Sequence, residues 1–258
     1  MTGLFWESTG AGAPVLMITG LGLSGGAWWR TVPVLAQRLR VITFDNRGVG
    51  RSRSLQHSYT TEAMADDALS VLDAAGIERA HVYGFSLGGM VAQQLVLRHP
   101  TRIRSLVLGA THAGGPRAVP PEREVLEFFR QRAAMQPQEA ARASVPFNYG
   151  PRCRSEHPER IDEDIRRRLE HRFPEQAYRA QLLAATLHNC HRRLNRIEVP
   201  TLVVHGHHDR MIPVANAELL ADCVPDAILR VLGESGHLYP TEEPEVDAAI
   251  AEFLESAP

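Results

Sequence analysis

The chain has 258 residues, 44% hydrophobic and 22% charged, a composition that suits one large globular domain or one domain carrying an insertion. Its formal net charge of −2 provides no global field directed at nucleic acid or a membrane surface, so neither is expected as a partner. Cys153, Cys190 and Cys223 are odd in number and form no C-x-x-C pair, no basic segment precedes an apolar leader, and no run of about 18 apolar residues exists, so a cytoplasmic protein without a structural disulfide is expected.

Gly3-Leu4-Phe5-Trp6-Glu7 predicts a short strand, closed by Gly10-Ala11-Gly12-Ala13-Pro14. Val15-Leu16-Met17-Ile18-Thr19 is a continuous apolar run of the kind required by a sheet buried on both faces. It ends in Gly20-Leu21-Gly22-Leu23-Ser24-Gly25-Gly26. A helix is expected over residues 28–38, then a buried strand, Val41-Ile42-Thr43-Phe44, stopping at Asp45-Asn46-Arg47-Gly48-Val49-Gly50-Arg51-Ser52. Thr60 or Thr61 can cap a helix carrying Ala63, Ala68, Leu69, Val71 and Leu72 that ends at Gly76. Asp66 and Asp67 read as solvated positions on that helix.

Ala80-His81-Val82-Tyr83 reads as strand and residues 90–97 as helix, with Gly84-Phe85-Ser86-Leu87-Gly88-Gly89 between them. A serine between glycines at a strand-to-helix turn stands proud of the sheet, and the new helix aims its free N–H groups and positive dipole end at it. This is a G-x-S-x-G nucleophile elbow in the context it requires. A further strand follows at Ser105-Leu106-Val107-Leu108. Alternating strands and helices with apolar strands predict a mostly parallel central sheet flanked by helices, an α/β fold.

From residue 114 to 196 that alternation stops. Prolines 116, 120, 121, 137, 146, 151 and 158 punctuate a charged, helix-prone segment in which sixteen arginines face eleven acidic residues. We expect a helical cap insertion over 114–196, set into a core formed by residues 1–113 and 197–258. Strand signals resume at Pro200-Thr201-Leu202-Val203-Val204-His205. A helix over 215–221, a strand over 228–232 and a last helix over 246–254 follow.

A serine hydroxyl needs a base to take its proton, and the base needs an orienting acid. Functional groups in open parallel sheets gather at the carboxyl ends of strands. Two late strands deliver the missing types there: Gly206-His207-His208-Asp209 after the first, Gly233-Glu234-Ser235-Gly236-His237 after the second. The order Ser86, Asp209, His237 is the order of α/β-hydrolases.

The elbow, the 45–52 turn, the Gly-x-x-Asp ending at Asp209 and the Gly236-His237 pair together make the chain resemble an α/β-hydrolase-fold protein over essentially its full length. The resemblance implies Ser86 as nucleophile, His237 as general base and then acid, and Asp209 as the group that orients His237. It also implies an oxyanion hole from the N–H groups of Leu87 and Leu21. The expected chemistry is cleavage of a carboxylic ester or lactone through an acyl-enzyme, with a small-molecule substrate, no cofactor and no metal. C–C bond hydrolysis and cofactor-free haloperoxidation are alternatives on the same fold. The chain departs from the family in having Thr19-Gly20 where His-Gly is common, and in starting too late for the extra N-terminal edge strand.

Other readings compete. Gly20-x-Gly22-x-x-Gly25 with Asp45 ending the next strand matches a dinucleotide fingerprint, but Gly26 and Trp28-Trp29 open a poor pyrophosphate-binding helix. An NAD-dependent oxidoreductase would also leave the three later motifs idle. His205-Gly206-His207-His208-Asp209 and His188-Asn189-Cys190-His191 contain near-adjacent metal-ligand types, without the further ligands a site needs. They read as polar strand-end and cap positions. Glu234, Glu242 and Glu243 read as surface residues, Cys223 as core, and Asp45 and Arg47 as fasteners of their turn. A catalytically silent hydrolase-like binding protein would keep the fold and could keep the triad.

Overall fold

The computed structural model describes residues 3–52, 59–132, 134–170 and 174–257. Seven strands form one sheet: β1 (Trp6–Thr9), β2 (Pro14–Ile18), β3 (Arg40–Phe44), β4 (Ala80–Phe85), β5 (Ile103–Gly109), β6 (Thr201–Gly206) and β7 (Ile228–Leu232). Their order is β1-β3-β2-β4-β5-β6-β7, with β1 antiparallel to β3 and the remaining pairs parallel. The apolar runs fall in the centre because a parallel sheet covered on both faces needs side chains that leave water in both directions.

Alternate residues of the strands feed two cores. Leu16, Ile42, Val82 and Leu106 pack with Met64 and Leu72 of α2 (Thr61–Ala74) and with Val91 and Leu95 of α3 (Leu87–Arg98). Val15, Met17, Val107 and Val204 pack with Leu35 of α1 (Thr31–Leu35) and on the opposite side of the sheet from the first core. Full burial of one such side chain is worth about 1.5–3 kcal/mol, so the two cores outweigh any surface interaction in the molecule.

Helix ends follow local chemistry. Thr60 Oγ1 accepts the Ala63 N–H at 3.1 Å, capping α2. At its other end Gly76, with φ +69°, lets the Ile77 N–H reach Leu72 O at 2.9 Å and its own N–H reach Asp73 O at 3.1 Å, the paired bonds of a Schellman stop. The helix expected over 28–38 is instead a 3-10 turn, Gly25–Trp28, followed by the short α1. Pro33 explains the difference, because proline fits only the first turn of a helix and so fixes its start near Thr31.

Between β5 and β6 the described chain is helical: α4 (Arg123–Arg132), α5 (Pro137–Ala143), α6 (Val145–Asn148), α7 (Pro151–Glu156), α8 (Pro158–Glu170) and α9 (Glu175–Leu187). The segment is pinched at its base, where Gly114 bridges Asn189 and the Cys190 N–H donates to Ala113 O at 2.9 Å. After β6 come α10 (Ala215–Cys223), α11 (Tyr239–Glu242) and α12 (Val246–Ser256), whose Ile250 and Leu254 complete the second core. Among the described residues no helix is long and apolar enough to cross a membrane.

Candidate active site

Strand β4 runs directly into Ser86, whose φ of 56° and ψ of −120° are costly for any residue with a Cβ. Such a conformation stores about 1–3 kcal/mol and persists only where the surroundings over-determine it. Here the Ser86 N–H donates to Gly109 O at 2.8 Å, while Ser86 O accepts Thr111 Oγ1 at 2.8 Å and the Gly89 N–H at 2.9 Å. The flanking glycines are packing requirements. A Cβ on Gly84 would run into the Gly88 carbonyl, one on Gly88 into the Ile18 carbonyl, and one on Gly89 would lie 2.6 Å from the Thr111 side chain. Leu87 then opens α3 with its N–H among the first-turn donors that have no partner inside the helix.

The structure brings the three sequence-predicted side chains together. His237 Nε2 is 3.1 Å from Ser86 Oγ, and its Nδ1 is 2.7 Å from Asp209 Oδ2. Asp209 is buried at the end of β6, where its Oδ1 accepts the Ile212 N–H at 2.8 Å. Burial alone would raise its carboxyl, but the neighbouring His237 and hydrogen bonds from His205 and His237 hold it at about 2. The acid is therefore ionised at neutral pH and can hold a proton on His237 Nδ1, leaving Nε2 free to accept from serine.

The loop carrying His237 is fastened by Glu242, which departs from the surface position expected for it. Its carboxylate accepts the Gly236 N–H at 2.8 Å and the Gly150 N–H at 2.7 Å, and burial pushes it up to about 7. Phe85 supports the imidazole from below, with ring centroids 5.2 Å apart.

The loop after β2 passes over the serine. A Cβ on Gly20 would lie 3.2 Å from Ser86 Cβ. Thr19 Oγ1 donates to Leu23 O at 2.8 Å, and Asn46 Nδ2 donates to Thr19 O at 3.2 Å. A threonine in place of the commoner histidine thus still holds the loop. Gln181, buried on α9, accepts the Gly22 N–H at 3.0 Å and donates to Arg47 O at 3.1 Å. Among the described residues, neither the Leu21 nor the Leu87 N–H donates to a protein acceptor.

The 45–52 turn is held as the sequence suggests. Asp45 Oδ1 accepts the Gly25 N–H at 2.7 Å, and its Oδ2 accepts the Arg51 N–H at 2.8 Å. Arg47 is buried and donates to Asp67 Oδ2 at 2.5 Å and to Ala63 O at 3.0 Å. Asp67 is therefore no solvated residue: a buried guanidinium needs its charge. Asp66 is exposed, paired with Arg98 at 2.8 Å.

The histidines of the first cluster diverge. His205 turns inward to Asp209, 3.1 Å away, while His207 and His208 stack edge-on outside at 5.1 Å between centroids. In the second cluster His188 Nδ1 meets Thr61 Oγ1 at 3.0 Å, and burial lowers the imidazole to about 3. Among the described residues no group of three or more potential ligands is placed to hold a metal ion. Cys223 is half-buried and packs against the first core, while Cys153 and Cys190 are buried, the latter donating to Gln93 Oε1 at 2.9 Å.

Sequence reasoning missed four residues of this site: His205, Thr111, Gln181 and Glu242. Each acts on a partner distant in sequence or on a turn, and only the histidine-aspartate spacing of His205 and Asp209 gave any local signal. Beside the serine a pocket of about 740 Å³, open solvent at its mouth included, is lined by Gly20, Phe85 and Leu238 among others.

The family model for the alpha/beta hydrolase fold matches residues 13–244. A protein of Azorhizobium caulinodans named "Putative carbamate hydrolase RutD" is 33% identical over 94% of this chain and 91% of its own length. A thermophilic esterase from Thermogutta terrifontis, solved with malate bound, is 31% identical and superposes with a TM-score of 0.83 over 98% of this chain and 93% of that one. Est816, described as an N-acyl homoserine lactone degrading enzyme, is 31% identical with a TM-score of 0.79, covering 96% and 95% of the two chains.

Proposed function

Because the chain belongs to the alpha/beta hydrolase fold family, we propose that it is a serine hydrolase cleaving a carboxylic ester or lactone through an acyl-enzyme. The observation that carries this reading is the continuous relay from Ser86 Oγ through His237 to the ionised Asp209. In the first half-reaction His237 Nε2 takes the serine proton as Oγ bonds to the carbonyl carbon. The oxygen of the tetrahedral intermediate becomes anionic, and the free N–H groups of Leu21 and Leu87 with the positive end of α3 receive it. Loss of one such donor typically costs about 10²–10³ in rate. The imidazolium then gives its proton to the leaving oxygen as the carbon–oxygen bond breaks. Water, deprotonated by the same imidazole, hydrolyses the acyl-serine in the second half.

Residues 114–196 are read as the cap over this mouth. Two contacts support that: α8 lends Asp164 and Arg168 to the pocket wall, and Gln181 of α9 braces the loop bearing Leu21. A carbamate is a second reading, supported by the relatives so named at 29–33% identity. The same attack on a carbonyl flanked by nitrogen would serve it.

The test is turnover of p-nitrophenyl acetate and butyrate beside a panel of lactones and carbamates, with fluorophosphonate labelling and peptide mapping. Label on Ser86 and a loss of about 10³-fold or more in Ser86→Ala are expected. Wild-type turnover in that variant would remove the mechanism. Preferred hydrolysis of carbamates over esters would select the second reading.

A further inference from the structure

The pocket beside Ser86 is unbalanced in its polar groups. Arg30, Arg167 and Arg168 line it against one acidic residue, Asp164. That carboxylate is already engaged: it accepts Thr241 Oγ1 and, at 3.2 Å, Tyr149 Oη, and burial holds it above the usual carboxylate range. It lies 3.6 Å from Arg30 Nε, beyond hydrogen-bond reach. Arg167 has its own counter-charge in Glu163 at 2.8 Å, leaving Arg30 and Arg168 to share Asp164.

The lining residues also hold a surplus of donors. Trp28 Nε1, Arg30 Nε and Arg168 Nη1 are shut off from solvent and have no hydrogen-bond partner among the described residues. None of the three can act as an acceptor, so they cannot satisfy one another. Leaving such a group unmade is expensive, more so when it is charged. The Trp29 ring has the Arg30 and Arg167 guanidinium carbons 4.0 and 4.1 Å from its centroid. Stacking uses the flat face of a guanidinium and leaves its in-plane N–H groups for an acceptor. A wall with three guanidinium groups against one engaged carboxylate is complementary to a planar oxyanion, which a guanidinium binds through paired charge-assisted bonds.

We propose that the substrate carries a carboxylate, held by Arg30 and Arg168 in this pocket while its ester or lactone carbonyl meets Ser86. The inference rests on the serine-hydrolase reading above and deepens it by naming a substrate class. Solvated surface arginines would give no such recognition; here Arg30 and Arg168 form part of the pocket wall and share a single carboxylate that is already hydrogen-bonded elsewhere.

Two esters of equal chain length test it: p-nitrophenyl pentanoate and p-nitrophenyl hydrogen glutarate, the second ending in a carboxylate where the first has a methyl group. After subtraction of uncatalysed hydrolysis, kcat/KM should favour the glutarate ester by about tenfold or more, mainly through KM. Arg168→Met should abolish that preference, and Arg30→Gln serves the same purpose if the first variant does not fold. Arg166→Met, an exposed change on the same helix, should leave the ratio unaltered. Titration of glutarate into Ser86→Ala separates the two layers of the argument. Glutarate binding that Arg168→Met removes, without any Ser86-dependent hydrolysis, keeps the anion site and overturns the hydrolase reading. Ser86-dependent hydrolysis with equal rates on both esters and no glutarate binding overturns the carboxylate pocket alone.

Discussion

His205 Nε2 lies 3.1 Å from the same Asp209 Oδ2 that receives His237 Nδ1 at 2.7 Å. The same nitrogen lies 2.8 Å from Ile212 O, while His205 Nδ1 is buried without a partner among the described residues. A proton on Nε2 therefore serves two acceptors, and a second proton on Nδ1 would be a buried, unpaired donor. The neutral Nε2–H form fits this site. On the proposed mechanism it makes His205 a positioning residue, holding the same carboxylate oxygen that His237 meets.

His205→Leu should lower kcat about tenfold or more with little change in KM. A lost hydrogen bond to a charged acceptor costs about 1.5–3 kcal/mol, and here the loss falls on the group that stabilises the imidazolium. His205→Gln, which restores an amide donor, should recover part of it. Steady-state kinetics on p-nitrophenyl butyrate decide the matter: unchanged kcat in both variants removes the positioning role.

Gly88→Ala should cost far more than its single methyl group suggests. The new Cβ would run into the Ile18 carbonyl and lie 2.7 Å from Thr19 O, and neither backbone atom can swing away as a side chain can. Overpacking of this kind costs about 1–3 kcal/mol or more, and relief requires moving the end of β2, which carries the Leu21 loop. Gly76→Ala is the contrast. Nothing lies within 4 Å of its Cβ, so only the positive φ is paid against, about 1 kcal/mol. Thermal unfolding with activity per folded molecule should show the first variant losing both and the second losing only stability.

The central strands and the positions of Ser86, Asp209 and His237 were legible because each leaves a local trace. A two-sided buried strand is an apolar run, and an elbow needs small residues at fixed offsets. The braces left none. Gln181 meets Gly22 across 159 residues, and Glu242 reads as one more acid in an acidic C-terminal stretch until its contact with Gly150 is known. Asp67 looked solvated for the same reason, since the side chain that buries it, Arg47, arrives from another element. The break in the helix expected over 28–38 has a local trace in Pro33, which a helix accommodates only in its first turn.

Gln181→Leu tests whether the brace on the Gly22 loop matters to the reaction. The substitution keeps the buried volume roughly constant but removes the acceptor of the Gly22 N–H and the donor to Arg47 O, and loss of the first alone costs about 1–3 kcal/mol. The loop holding the Leu21 donor should then lose its fixed distance from Ser86. We expect kcat to drop about tenfold or more, with the pentanoate KM moving less than threefold. A variant with lowered melting temperature but native kcat would make Gln181 structural only.

The pH dependence of stability should be governed in part by Asp247, a buried acid outside the relay of Ser86, His237 and Asp209. Burial pushes the Asp247 carboxyl from an ordinary 3.8 up to about 7, with Thr31 offsetting this only in part. The folded chain therefore holds that proton more tightly than the unfolded chain. Its contribution is complete below about pH 4 and is lost as pH rises towards and through 7. Glu242, raised to about 7, acts in the same direction. His81 and His112, lowered to about 4, and His188, lowered to about 3, act oppositely and cost stability as pH falls below 6.5. Wild-type melting temperature alone would mix these effects, so the comparison must be with Asp247→Asn, which cannot ionise. Measured at pH 5, 6, 7 and 8, the variant should gain on the wild type by about 2–3 kcal/mol in total, with most of the gain complete by pH 7. A gap that stays constant across those four values would mean that Asp247 keeps its ordinary acidity in the folded protein.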